Sequence, residues 1–320
     1  MKKLFKTFAI VAFSASIISC SSDTSSSPET IAQIASKNEN LSTLVSALNK
    51  TGLTATFNSA GDYTVFAPTN DKFQAFLTAN GFANLDAVPV NVLTEILKNH
   101  VLSGSFNSSE LTTGYVKTLA KGSASSTNTL SMFVEVGSTV KLNGGATNGG
   151  ATVVTANIEA SNGVIHIVDN VIGLPTVVNH AIANPNFSSL VGALTSAGQP
   201  DFVGVLSGTG PFTVFAPNNA AFTSLDAELA PSGIAGVSAA NLTKVLQYHV
   251  VSPANVLSNT LTEGQVVTPI LTPTQTFKVL LNGSARLKDA NNRECPIIAT
   301  DVQASNGVIH VLSKVLLPTL

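Results

Sequence analysis

Residues 160–166 read ASNGVIH, and the same seven letters return at 304–310. The two starts, 160 and 304, lie 144 residues apart. Each copy runs on through apolar residues to a proline, as NGVIHIVDNVIGLP in the first and NGVIHVLSKVLLP in the second. Asn and Gly both tolerate positive φ, so Asn162-Gly163 and Asn306-Gly307 read as tight hairpin turns feeding a strand. The apolar run then fixes the register, because a slip of one residue would turn its buried set outward.

The duplication reaches well beyond this phrase. ENLSTLVSALNKTG at 39–52 matches PNFSSLVGALTSAG at 185–198, an offset of 146. YTVFAPTNDKF at 63–73 matches FTVFAPNNAAF at 212–222, and ILKNHVLSG at 96–104 matches VLQYHVVSP at 245–253, both at 149. Insertions therefore fall between blocks rather than inside them. Two long copies mean two complete domains, since a solenoid stacks several short repeats.

Each copy has the same coarse reading. Leu41, Leu44, Val45 and Leu48 form one helical face, repeated by Phe187, Leu190, Val191 and Leu194. TVFAP is a β-branched and aromatic run closed by proline, the pattern of a strand. Asn70 and Asp71, like Asn218 and Asn219, read as turn or N-cap residues of a short helix. Phe73 and Phe222 supply that helix's apolar contact. Val92, Leu93, Ile96 and Leu97 form another stripe after Pro89, echoed by Leu242, Val245 and Leu246. NGGATNGGAT at 143–152 lacks a lysine and a helix start, and reads as a flexible hairpin loop rather than a phosphate cradle. Strands at both ends of each copy with helices between them indicate an α+β domain.

In this order, TVFAPTNDKF, NHVL and NGVIHIVDNVIGLP resemble the motifs of the fasciclin-like domain family. The second copy carries the family's Tyr-His pair as Tyr248-His249, whereas the first has Asn99 before His100. The resemblance covers residues 30–175 and 176–320. It implies two tandem domains, each a β-sandwich-like wedge with several packed helices. It also implies adhesion or extracellular binding without catalytic activity.

The opening MKKLFKTFAIVAFSASIISC has a basic start and an apolar stretch of secretory-signal shape. Its end, Ile17-Ile18-Ser19-Cys20, resembles the lipobox of bacterial lipoproteins. The expectation is a signal peptide over 1–19, lipidation of Cys20, and a membrane partner reached through that anchor. SSDTSSSPET then reads as a flexible tether over 20–29. The implied location is the envelope of a Gram-negative bacterium, as an outer membrane lipoprotein that is periplasmic or surface-exposed.

Composition bounds the chemistry. Hydrophobic residues make up 44% of the chain and charged residues 11%, with a net charge of −2. There is no basic run outside the leader, which argues against a nucleic-acid partner. With two cysteines, one of them assigned to lipid, no disulfide framework exists and Cys295 reads as a buried structural thiol.

The five histidines are the remaining candidates for metal or acid–base work. No HExxH, Cys-x-x-Cys or G-x-S-x-G motif accompanies them. His100, His249, His166 and His310 therefore read as structural, with burial holding His166 and His310 neutral. His180 reads as a surface or interdomain residue. Asp62, Asp71, Asp169 and Glu159 become Pro211, Asn219, Ser313 and Gln303 in the second copy, while Asn157 becomes Asp301. Chemistry common to both copies cannot rest on those acids, so no catalytic, cofactor or metal residue is nominated.

The expected function is a non-catalytic adhesion or ligand-binding module for a glycan, a matrix component or a cell-surface protein. The alternative is a periplasmic scaffold supporting an envelope complex. Two tandem domains permit bivalent capture, and the short apolar connection IGLPTVVNHA predicts close packing between them. The chain has no tryptophan and three tyrosines, so a stacked-aromatic sugar platform is not expected and the ligand is unknown.

Overall fold

The computed structural model describes residues 28–320; the expected leader over 1–19 and Cys20 lie outside the described residues. Two α+β units follow one another.

The first unit opens with helices α1 (Ile31–Lys37), α2 (Ser42–Thr51) and α3 (Thr54–Asn58). Strand β1 (Tyr63–Pro68) leads to α4 (Asn70–Ala79) and α5 (Val90–Asn99). Strands β2 (Val101–Ser103), β3 (Gly114–Lys121), β4 (Thr129–Val136), β5 (Val140–Leu142), β6 (Ala151–Ala160) and β7 (Gly163–Val168) complete it. β7 pairs parallel with β1 and closes a barrel in the order β1 to β7.

The second unit repeats the plan. Helices α6 (Val177–Ala183), α7 (Ser188–Leu194) and α8 (Phe202–Leu206) precede β8 (Phe212–Pro217), α9 (Asn219–Glu228) and α10 (Ala239–Tyr248). Strands β9 (Val250–Val251), β10 (Val266–Val267), β11 (Phe277–Leu280), β12 (Arg286–Lys288), β13 (Glu294–Ala304) and β14 (Gly307–Leu312) follow. Here the sheet runs β10-β11-β12-β13-β14-β8-β9, again with a parallel β14–β8 pair.

The TVFAP strands explain the two cores of each unit. They are buried on both faces, and successive side chains point to opposite sides. Val65 and Ala67 pack with the helices, while Phe66 packs with the barrel residues Met132, Val134 and Leu142. Val214, Ala216 and Phe215 divide in the same way. Phe73 and Phe222 are buried as the sequence predicts.

Two expectations are corrected. The hairpin between β6 and β7 turns at Ser161-Asn162, because Ala160 pairs with Gly163. Asn162 is absent from the positive-φ residues. It is buried, accepts the Ile31 N–H through Oδ1, and donates through Nδ2 to the carbonyls of Phe57 and Ser59. Gly163 does take a positive φ, 144°, whereas Gly307 does not, and both glycines serve close approach. A Cβ on Gly163 would stand 2.0 Å from the Tyr63 carbonyl oxygen, and one on Gly307 2.2 Å from that of Phe212. Each glycine thus lets a parallel strand pass.

Second, Asn70 and Asn219 do not cap their helices. Thr69 and Asn218 occupy the N-cap positions, and the Asn218 side chain accepts from Ala221. Asn70 instead accepts the Thr43 N–H and donates to the Glu39 carbonyl, fixing the entry to α2. Asn219 does the same to Ser189 and Pro185. The Gly-rich stretch 143–152 connects the antiparallel β5–β6 pair, the hairpin loop that the sequence suggests. Asn143 is buried with φ 49°, its Oδ1 accepts the Phe133 N–H, and Gly150 lies against the Leu142 carbonyl.

Candidate functional site

The fold uses up most of the chemistry-bearing side chains. His100 ends α5, with Nδ1 2.8 Å from the Ile96 carbonyl and Nε2 accepting the Ile172 N–H at 2.8 Å. His249 ends α10 in the same manner, with Nδ1 at 2.7 Å from the Val245 carbonyl and Nε2 accepting from Leu316. These partners set the tautomer: Nδ1 carries the proton and Nε2 must stay bare. Each ring therefore ties a helix end to the segment that leaves the barrel. Burial pushes both down to about 4, opposed by the carbonyl bond at Nδ1. Tyr248 is buried and donates to the Thr276 carbonyl.

His166 and His310 project to the barrel side, stacked on Phe66 and Phe215. Burial lowers both below the ordinary value, against the opposing carbonyl bonds at Nε2. Their job is to hold the loop after β2 and after β9. His166 Nε2 donates to the Phe106 carbonyl, and its Nδ1 accepts the Asn157 N–H. His310 Nε2 donates to the Val256 carbonyl. Thr64 and Thr213 accept the N–H groups of Phe106 and Val256. Asn157 and Asp301 accept those of Ser108 and Ser258. Asn157 (φ 62°) and Asp301 (φ 58°) sit at bulges of β6 and β13. Such bulges re-aim side chains and interrupt pairing. The Asn-to-Asp exchange between copies thus preserves one role, acceptance of a loop N–H.

Cys295 is buried and its thiol is pushed up to about 12, chiefly by burial. Among the described residues no three His, Cys, Asp or Glu side chains gather to hold a metal. No described helix is long and apolar enough to cross a membrane.

The two units meet along β13. Gln303 N–H donates to Ser131 Oγ, Lys117 Nζ to the Asp301 carbonyl, and Ala124 N–H to the Ser305 carbonyl. Asn148 and Asn179 exchange bonds between the Gly-rich turn and α6. His180 is fully buried here, not on the surface, with its ring 5.5 Å from that of Tyr115. Neither ring nitrogen has a hydrogen-bond partner among the described residues. Burial holds it at about 4; the Gln303 backbone opposes this from outside bonding geometry, and the Lys117 cation adds to it.

This contact defines the candidate site by contrast. Of the half-buried to buried stretch Asp301 to Ala304, Asp301 and Gln303 grip the first unit through their backbone, while Val302 and Ala304 pack in the second unit's own core. The equivalents of this stretch, Asn157 to Ala160, lie open or half-open on β6. Beside them the pinned loop presents Phe106, 38% exposed, and β6 presents Val154, 61% exposed. Binding residues favour such loops held on a rigid frame. Sequence reading missed this face, since an exposed strand segment has no motif; the exchange of Glu159 for Gln303 was its one trace.

The fold and motifs define a class, and comparison with known proteins agrees. The fasciclin domain profile matches residues 39–175 and again 185–318. The chain belongs to the fasciclin domain family. Protein sll1483 of Synechocystis is 40% identical over 145 residues, 45% of this chain and 74% of that protein. Periostin of Homo sapiens is 26% identical over 297 residues, 91% of this chain but 31% of periostin. The fold matches a FAS1 domain pair from the insect cell adhesion molecule fasciclin I, with a TM-score of 0.56 at 20% identity. That match covers 88% of this chain and 98% of the solved one.

Proposed function

We propose that this protein is a non-catalytic adhesion or extracellular ligand-binding module of a bacterial cell envelope. Lipid on Cys20 anchors it to the outer membrane of a Gram-negative cell through the tether over 20–29. The domains 30–175 and 176–320 present the binding face. Fasciclin domains form a cell adhesion molecule in the insect case. The observation that carries the reading is the unequal use of one stretch: β13 spends residues 301–304 on the partner domain or its own core, and β6 leaves 157–160 open, with Val154 flanking it and exposed like its counterpart Ile298.

The face is made of Phe106, Val154, Asn157 and Glu159. It suits a glycan, matrix or cell-surface protein contact with an apolar centre and a polar rim. The test is a binding screen of the two-domain protein against glycans and matrix proteins, repeated with Phe106→Ala and Val154→Asp. Loss of the hit in both variants, with melting unchanged, supports the face; full retention in both removes it. Cys20→Ala should leave the membrane fraction, and recovery of that variant still bound to membranes would refute the anchor. Digestion by protease on intact cells separates surface display from the periplasmic scaffold.

A further inference from the structure

The second unit holds an apolar cavity of about 180 Å³ under α6, α7 and α8. Its counterpart in the first unit measures about 20 Å³. The walls correspond residue by residue: Leu44 with Leu190, Leu48 with Leu194, Val65 with Val214, and Ile165 with Ile309. Three differences open the second. Phe57 becomes the smaller Leu206, and Ile31 becomes Val177. The chain from Leu194 to Leu206 is also three residues longer than that from Leu48 to Phe57. The longer connection lets α8 stand off from α7. Ala181 and Leu194 are half-buried, whereas Ala35 and Leu48 are buried, so the cavity has a mouth beside α6.

The lining offers water no free side-chain donor, and the Thr195 oxygen is its one side-chain acceptor. Thr195 and His249 supply its only polar side chains. The Thr195 hydroxyl donates to the Val191 carbonyl, and both His249 nitrogens are engaged. A water in a cavity needs polar partners, and an apolar cavity of about 150 Å³ stays dry and takes benzene. A well-packed core holds few voids of this size. No lysine or arginine lines the cavity, and the Thr195 and His249 donors are already engaged, so an anionic head group would find no partner there.

We propose that this cavity is a binding site for one aliphatic chain of an uncharged amphiphile, such as an alkyl alcohol or ester, with the head group in the mouth. The first unit, its space filled by Phe57 and a shorter connection, does not bind. The site is separate from the β6 face, so either can fail alone.

The test titrates 1-octanol into the protein carrying both domains and follows methyl NMR signals. Saturable shifts are expected at Leu190, Leu194 and Val214, with Leu44, Leu48 and Val65 unmoved as an internal control. Octanoate should bind several-fold more weakly. Leu206→Phe restores the first unit's residue and should weaken octanol binding about tenfold or more, the loss of roughly two buried methylenes. Its melting temperature should hold or rise as the cavity fills. Ala181→Leu closes the mouth independently and should do the same. Absence of saturable shifts in the unaltered protein overturns the site. So do equal shifts in both units, or octanol binding unweakened in a folded Leu206→Phe or Ala181→Leu protein. Octanoate binding as tight as octanol overturns the uncharged head group.

Discussion

Asn162 is the residue on which the first unit's closure turns. Its side chain spans three backbone groups, at Ile31, Phe57 and Ser59, and Asn306 repeats the set at Val177, Leu206 and Gly208. Removing it orphans buried groups, each costing about 1–3 kcal/mol. Asn162→Ala should therefore destabilise the first unit by about 3 kcal/mol or more in urea unfolding; a loss below about 1 kcal/mol would mean the clamp is incidental. The histidines give a second expectation at this scale. His100 and His249 must stay neutral to accept from Ile172 and Leu316. Their folded values near 4 lie below the ordinary 6.5, so the unfolded chain binds more protons between the two. Stability is full above about pH 6.5 and falls as pH drops toward about 4, by roughly 3 kcal/mol per ring. The urea midpoint should already decline between about pH 6.5 and 5, above the range where carboxylates protonate. A flat profile there contradicts the assignment.

At the scale of elements, the repeat exposed most of the fold. Helical stripes at Leu41 to Leu48 and Leu93 to Leu97 correspond to α2 and α5, and TVFAP to β1 and β8. These features repeat along the chain at a fixed period, so single residues report them. What escaped depends on contacts distant in sequence. Asn162-Gly163 looks like a turn because local φ preference is all that two letters reveal. The glycine, at φ 144°, answers also to a strand about a hundred residues earlier, at Tyr63. The cavity escaped for the same reason, since its size depends on where a longer connection puts α8. Gly307→Ala tests the close approach without φ strain, since Gly307 is absent from the positive-φ residues: the new Cβ would collide with Phe212 backbone that has no flexible end to yield. Destabilisation above about 2 kcal/mol is expected, beyond the usual glycine-to-alanine effect in a strand. An unchanged urea midpoint would show that β8 and β14 can separate at no cost.

At the scale of the molecule, the question is what makes two domains one body. The contact is largely polar: backbone groups of Asp301, Gln303 and Ser305 bond to Lys117, Ser131 and Ala124. Burial lowers Lys117, opposed by Asp301 nearby, and Tyr115 is pushed up to about 12 by the same enclosure. Polar interfaces between domains ordinarily permit relative motion. Here Gly122 allows backbone to meet backbone, because a Cβ on it would stand 2.4 Å from Ser305 Cα. A side chain at this point must part the domains while touching neither core. Gly122→Leu should therefore leave both units folded but free them from each other. Small-angle scattering should give a larger radius of gyration than the parent's, and calorimetry should resolve two transitions where a single one is expected of the parent. An unchanged radius and a single transition would mean that the contact tolerates the intrusion, and that something other than this close approach fixes the domains together.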